Sequence, residues 1–411
     1  LINYLRFCLM DSCSLGYTSY QSSGFPLDVF QDSPTPCYYY DMELLDRTLM
    51  TLKDAVAPYP HFKVHYAVKA NTDHEILRLI SSYGLGADVV SGGELEMAIG
   101  ASFAPSTIVF AGVGKADWEI KMALDADIGC LNVESLQEME VINDIAGKMH
   151  RRARIAIRVN PNIDAHTHHF ITTGMEDNKF GINIADFDKA VDLALSYSNI
   201  DLIGLHFHIG SQITIIYPYE LLCERVNVLL ENCRRKGIEF EWINLGGGLG
   251  IDYDTPDLNP IPDFKTLMDT VSNTLDVRQG QQVHFEFGRS LVGQCGSLVT
   301  RVLYVKEGHN RKFVILDAGM SELVRPALYQ AFHEIQNLSA FARGDRGAMR
   351  YDVVGPICET SDSFGEGVVL PQTMRGDIMV IRSAGAYGES MSSHYNCRRL
   401  QPTLYGHKPL I

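Results

Sequence analysis

The chain is 411 residues long, 46 % hydrophobic and 21 % charged, with a formal net charge of −15. That length suffices for two domains with separate cores, and the acidity argues against nucleic acid or an anionic membrane surface as a partner. No apolar run approaches the ~20 residues that cross a bilayer. The nine cysteines (Cys8, Cys13, Cys37, Cys130, Cys223, Cys233, Cys295, Cys358 and Cys397) are scattered without a C-x-x-C pair, so reduced thiols in the cytoplasm are the simplest reading.

In chain order, residues 1–23 read as an N-terminal extension without the pattern of a signal peptide. Residues 24–45 carry Pro34 and Pro36 into Cys37-Tyr38-Tyr39-Tyr40, a strand segment able to join a β-domain formed later in the chain. From residue 64 onward, short apolar runs alternate with helical stretches. The predicted strands are 64–69, 87–91, 107–112, 128–133, 154–160, 202–209, 240–245 and 283–286. Helical periodicity falls at 75–82, 93–100, 118–124, 135–149, 186–197, 218–236 and 263–277. Regular alternation of this kind implies parallel strands with right-handed crossovers, and eight units close a (β/α)8 TIM barrel over 46–289. Past residue 290 the texture becomes strand-rich, with runs at 297–306, 312–317, 351–355 and 377–382. Residues 290–411 therefore read as a C-terminal all-β domain, sandwich- or barrel-like, of about 120 residues.

Polar residues gather at the predicted strand ends, the face on which α/β barrels build sites. Lys69 ends the first strand. A lone lysine there most often snorkels to the rim, whereas one held in an apolar mouth is suited to a Schiff base. Asp88 ends the second strand, Arg158 and Asn160 the fifth, and His206 and His208 fall on the sixth beside Gly210-Ser211. One such histidine is usually a hydrogen-bonded core residue. Two favour a flat ring that can stack on a ligand, while a metal is disfavoured because no third ligand sits at familiar spacing. The seventh strand runs into Gly246-Gly247-Gly248, whose backbone could approach an anion closely. This is neither G-x-G-x-x-G nor a Walker loop, so dinucleotides and nucleoside triphosphates are not favoured. The eighth ends at Glu286, followed by Gly288 and Arg289; that carboxylate needs either Arg289 or a protonated heterocyclic nitrogen as partner. One cofactor accounts for lysine, stacking ring, phosphate turn and carboxylate together: pyridoxal 5'-phosphate. In that reading Lys69 forms the Schiff base, His208 stacks on the pyridine, Ser211 and the glycines hold the phosphate, and Glu286 keeps the ring nitrogen protonated.

The motifs HYAVKAN (65–71), GADVVSGGEL (86–95), NKFGI (178–182), HFHIGSQI (206–213), NLGGGLG (244–250), EFGRS (286–290), RPALY (325–329), CETSD (358–362) and GAYGESMSSHYN (385–396) occur in this order. On them the chain resembles the fold-type III pyridoxal-phosphate decarboxylases, most closely those acting on meso-diaminopimelate. The resemblance implies conversion of meso-2,6-diaminopimelate to L-lysine and carbon dioxide, with active sites shared across a homodimer. It implies that Lys69, Asp88, His208, Ser211, Gly246, Gly247, Gly248, Glu286, Gly288, Arg289 and Tyr387 bind the cofactor. Arg289, Arg325, Tyr329, Glu359 and Tyr387 would bind the amino-acid substrate, and Cys358 of the neighbouring subunit would donate a proton, with no metal required. The chain departs from the usual family pattern at Phe287, Thr360-Ser361 and Ser383. A related decarboxylase acting on ornithine, arginine or carboxynorspermidine is the nearest alternative, but such substrates lack the distal carboxylate that Arg289 and Arg325 suit. A racemase would need a second base, and a cofactor-free regulatory homologue would not need Lys69, Glu286, Cys358 and Tyr387 together.

Overall fold

The computed structural model describes residues 24–161, 179–399 and 402–406. The expected N-terminal extension and Asn178 of the NKFGI motif lie outside these residues. The strands, in chain order, are β1 (Cys37–Tyr40), β2 (Phe62–Ala67), β3 (Gly86–Val89), β4 (Ile108–Phe110), β5 (Cys130–Val133), β6 (Ala153–Asn160), β7 (Ile182–Asn183), β8 (Ile200–His206), β9 (Trp242–Asn244) and β10 (Gln282–Phe287). The remainder are β11 (Gly296–Glu307), β12 (Lys312–Leu316), β13 (Ile335–Asn337), β14 (Met349–Val354), β15 (Ser363–Leu370), β16 (Ile378–Ile381) and β17 (Leu404–Tyr405).

Strands β2–β6 and β8–β10 pair in parallel, and the β5–β6 and β2–β10 pairings close the ring. This is the eight-stranded barrel that the alternation predicts. Its strands read as apolar runs rather than alternating ones because helices cover the outer face while side chains fill the inside. Phe285 and Phe287, for example, point outward: Phe287 meets Phe264 of the helix Phe264–Thr274 at 5.7 Å, and Phe285 meets Phe62 at 5.2 Å. Phe287, one of the departures from the family pattern, thus makes an aromatic contact with the barrel's outer helix.

Local chemistry starts the helices. Asp41 caps Met42–Val56, Asp73 caps His74–Ser82, Ser91 caps Gly92–Gly100, Ser135 caps Leu136–Lys148 and Asp263 caps Phe264–Thr274. Each side chain accepts a first-turn N–H that would otherwise be unpaired, a contribution of about 1 kcal/mol per cap.

The second sheet has the order β13-β16-β11-β12-β14-β15, with β1 antiparallel to β11 and β17 parallel to β1. The tyrosine-rich segment thus crosses to the late sheet while remaining continuous with the helix Met42–Val56. The twelve-residue β11 serves two halves: its start pairs with β1 and β16, and past an irregularity near Val302 it pairs with β12. β13, β15 and β17 have no counterpart among the predicted strands. Two are only three and two residues long, and β15 holds Gly365 and Gly367, which blur the alternation.

Candidate functional site

Lys69 lies just beyond its strand, because β2 ends at Ala67 and Val68–Ala70 form a tight 3-10 turn. Its Nζ is 3.6 Å from Asp88 Oδ2, at the end of neighbouring β3. The Lys69 side chain keeps 40 % exposure although charged groups surround it, so that exposure is to the barrel mouth. Burial would drive the ammonium toward neutrality, but Asp88, then Tyr387 and Glu286, outweigh it and hold the lysine above its ordinary pKa.

Two buried carboxylates share this ammonium and behave oppositely. Glu286 Oε2 is 3.1 Å from His206 Nε2, while Oε1 accepts from Asn244 Nδ2 at 2.7 Å and Asn132 Nδ2 at 3.4 Å. Burial favours its protonated form, but the charge and hydrogen bond of His206, followed by Lys69, hold its pKa below the usual carboxylate range. Among the described residues, none donates a hydrogen bond to either Asp88 oxygen. Burial and the nearby Glu286 push it well above the usual range, against the pull of Lys69. Glu286 therefore takes the stable negative charge. Arg289, its expected partner in one reading, turns elsewhere.

Gly246 and Gly248 have φ of +71° and +108°, and a Cβ on Gly247 would stand 1.9 Å from the Glu286 carbonyl oxygen. Only glycine allows the turn to lie this close to β10. The Gly246 N–H donates to Asn244 Oδ1 at 2.9 Å and the Gly247 N–H to His208 Nδ1 at 3.2 Å. Two of the three amides are thus engaged in shaping the turn. His208 lies two residues past β8; burial, then Arg158 and Lys69, press it well below its ordinary pKa, so its ring stays neutral. Ser211 Oγ accepts from Arg289 Nη2 at 3.1 Å, which leaves the hydroxyl proton to donate.

The β-domain clamps the lysine turn. The Ala70 carbonyl accepts the Tyr387 N–H at 2.8 Å and the Ser390 hydroxyl at 3.2 Å. Asn71 Nδ2 donates to the Tyr40 hydroxyl at 2.7 Å and the Gly385 carbonyl at 2.9 Å, and Tyr40 in turn donates to Glu389 Oε2 at 2.7 Å. Tyr387 also stacks under Arg289, whose Cζ is 4.9 Å from the ring centroid. Gly288 closes against the same turn; a Cβ there would stand 3.0 Å from Ala70 Cβ.

Arg325 and Tyr329 begin and end the short helix Arg325–Tyr329. Arg325 is brought beside Arg289, and Tyr329 is near enough to bear on the Arg289 charge. Cys358 and Glu359 stand apart on the exposed β14–β15 loop, where Glu359 Oε1 accepts from the Tyr395 hydroxyl at 2.5 Å. Asp362, at the end of the CETSD motif, is buried and accepts the N–H groups of Met320 at 2.6 Å and Ile357 at 2.7 Å. It shapes the Cys358 loop rather than facing the thiol. Ser383, another departure from the family pattern, has φ of +55°, a left-handed conformation uncommon for a non-glycine residue.

The sequence gives no sign of His206, Asn132 and Asn244 as holders of Glu286 or of Tyr40 and Glu389 as clamp residues, and Tyr253 goes unremarked in it. The first three share a signal: polar residues at inward-facing barrel positions, where only a buried polar partner explains them.

The residues present fit pyridoxal phosphate. A buried Asp88 carboxylate without a hydrogen bond, a fixed anionic Glu286, a neutral His208 ring and a turn no side chain could enter surround one lysine amine. Among the described residues, no group of three or more histidine, cysteine, aspartate or glutamate side chains is arranged to hold a metal ion.

The family described as "Pyridoxal-dependent decarboxylase, pyridoxal binding domain" matches residues 45–293. The chain is 52 % identical over 376 residues to diaminopimelate decarboxylase of Bacteroides thetaiotaomicron, covering 92 % of this chain and 96 % of that protein. The crystal structure of diaminopimelate decarboxylase from Helicobacter pylori complexed with L-lysine superposes with a TM-score of 0.86 at 37 % identity, covering 93 % of this chain and 94 % of that one. Lysine/ornithine decarboxylase from Vibrio vulnificus complexed with putrescine has a TM-score of 0.77 at 20 % identity, with 90 % and 94 % covered, and shares the fold.

Proposed function

This chain belongs to the pyridoxal-dependent decarboxylases, and on that footing we propose that it converts meso-2,6-diaminopimelate to L-lysine and carbon dioxide, the closing step of lysine synthesis. One observation carries the choice of substrate. Arg289 and Arg325, both buried, converge on a single phenol oxygen, and among the described residues neither has a carboxylate partner. Two guanidiniums so placed suit the far carboxylate of a diacid, which ornithine lacks.

Lys69 is the residue that would carry the cofactor. Glu286 would face the ring nitrogen, His208 the ring, and Ser211, Gly288, Arg289 and the Gly246–Gly248 turn the phosphate. Asp88 and Tyr387 complete the cofactor set. Pyridoxal phosphate, when bound, supplies the sink for the electron pair left at Cα. Glu286 can keep a proton on its partner because His206 and two amides already hold it as the anion. Arg289, Arg325 and Tyr329 orient the far carboxylate. Cys358 delivers the proton that replaces the lost carboxyl group, and Glu359 contacts the distal amine.

Cys358 and Glu359 would reach the mouth of the neighbouring subunit in a homodimer with shared sites. Their exposure supports this, as do the exposed Leu328 and Phe332 beside Arg325. The domains run 46–289 and 290–411, with 24–45 supplying β1; the helix Met42–Val56 packs with the barrel and draws its start forward. The free cysteines among the described residues suit the cytoplasm. The cofactor-loaded enzyme given meso-diaminopimelate should release carbon dioxide and L-lysine in equal amounts. A racemised diacid with no gas would defeat the reading.

A further inference from the structure

Tyr253 follows the glycine turn in a loop pinned by Asp252, which accepts the N–H groups of Asp254 at 2.9 Å and Thr255 at 2.8 Å. Its phenol oxygen accepts from Arg289 Nη1 at 2.6 Å and from Arg325 Nη1 at 2.8 Å. Its ring also meets both cations, with Cζ atoms 5.9 Å and 5.0 Å from the centroid. Each guanidinium is tied at its other side to its own surroundings. Arg289 reaches Ser211, and Arg325 reaches His333 Nε2 at 3.0 Å. His333 Nδ1 donates to the Arg382 carbonyl at 2.8 Å, so its Nε2 can only accept. The Nε atoms of both arginines are buried with no hydrogen-bond partner among the described residues.

Two like charges with unspent donors repel unless something between them accepts from both. Tyr253 is that acceptor, and it joins an arginine of the barrel to one of the β-domain. We propose that Tyr253 is a positioning residue that sets the spacing of Arg289 and Arg325, and so selects ligands whose far end carries a carboxylate. This rests on the reading of the two arginines given above. An arginine pair without its shared oxygen would splay and meet a carboxylate one cation at a time.

The test is calorimetric titration of the cofactor-loaded enzyme with L-lysine and with 1,5-diaminopentane, the same chain lacking the carboxylate. Tyr253→Phe keeps the ring and removes only the oxygen. It should weaken L-lysine about ten-fold, the scale of one charge-assisted hydrogen bond, and leave the diamine within about two-fold. Equal weakening of both ligands, as a merely structural role would give, overturns the assignment, as does unchanged L-lysine binding. A wild type that binds both ligands equally overturns the arginine reading, and Tyr253's role with it.

Discussion

The barrel mouth and the rim supplied by the β-domain are built differently. At the mouth, Lys69, Asp88 and Glu286 stand on or just past parallel strands, with both carboxylates buried and Glu286 positioned by neighbours such as His206 and Asn244. At the rim, Arg325 reaches in from the first residue of a short helix and Tyr387 from a turn, while Cys358 lies exposed on a loop. Rigid strand ends suit groups whose charge must be fixed before the reaction; loops suit groups that choose a ligand. The contrast teaches that chemistry and selectivity are separable here, and variants can pull them apart.

The largest effect should come from the mouth. Lys69→Ala should abolish the visible absorption of the cofactor-loaded protein and cut turnover by about 10⁴-fold or more, the scale of losing a covalent catalytic group. A variant that kept both would break the comparison at its root. Glu286→Gln should retain cofactor but slow turnover by about 10²–10³-fold, as when one fixed electrostatic partner is removed. Cofactor loss with normal turnover per bound cofactor would contradict it.

Across the rim, Lys69→Ala and Cys358→Ala should each be inactive alone. Mixed and allowed to exchange subunits, they should recover about a quarter of wild-type activity, because half the dimers then hold one intact site. No recovery on proven exchange would place Cys358 in its own subunit's site.

The clamp joining the two regions should cost stability more than chemistry. Tyr40→Phe strips Asn71 and Glu389 of a shared partner and should lower unfolding stability by about 1–3 kcal/mol, measured by denaturant titration. The smallest effect concerns Asp88 in the cofactor-free protein. Its folded pKa lies above its unfolded one, so its charge weighs against folding at neutral pH and this penalty fades as the pH falls. Asp88→Asn should therefore raise apo-protein stability at pH 7, with the gain shrinking in acid; a gain that grew in acid would reverse the sign.

The barrel was readable because each strand pairs an apolar run with a following helix, and its site because polar residues at strand ends are costly unless used. Lys69, Asp88 and Glu286 announce themselves this way. Tyr253 does not: it sits in a loop without periodicity, and its importance arises only when Arg289 and Arg325, 36 residues apart in sequence, meet upon it. The Tyr40–Asn71–Glu389 clamp is hidden likewise, since its members are brought together by β1 crossing to the late sheet. Short strands such as β13 and β17 carry too few residues to show a period.

The central claim is that the decarboxylating mouth is turned toward a diacid by Arg289 of the barrel together with Arg325 of the rim. Carbon dioxide release from meso-diaminopimelate and from L-ornithine, measured side by side on one cofactor-loaded preparation, tests it most directly. The account predicts rapid release from the diacid and far slower release from ornithine; comparable rates on the two would contradict it.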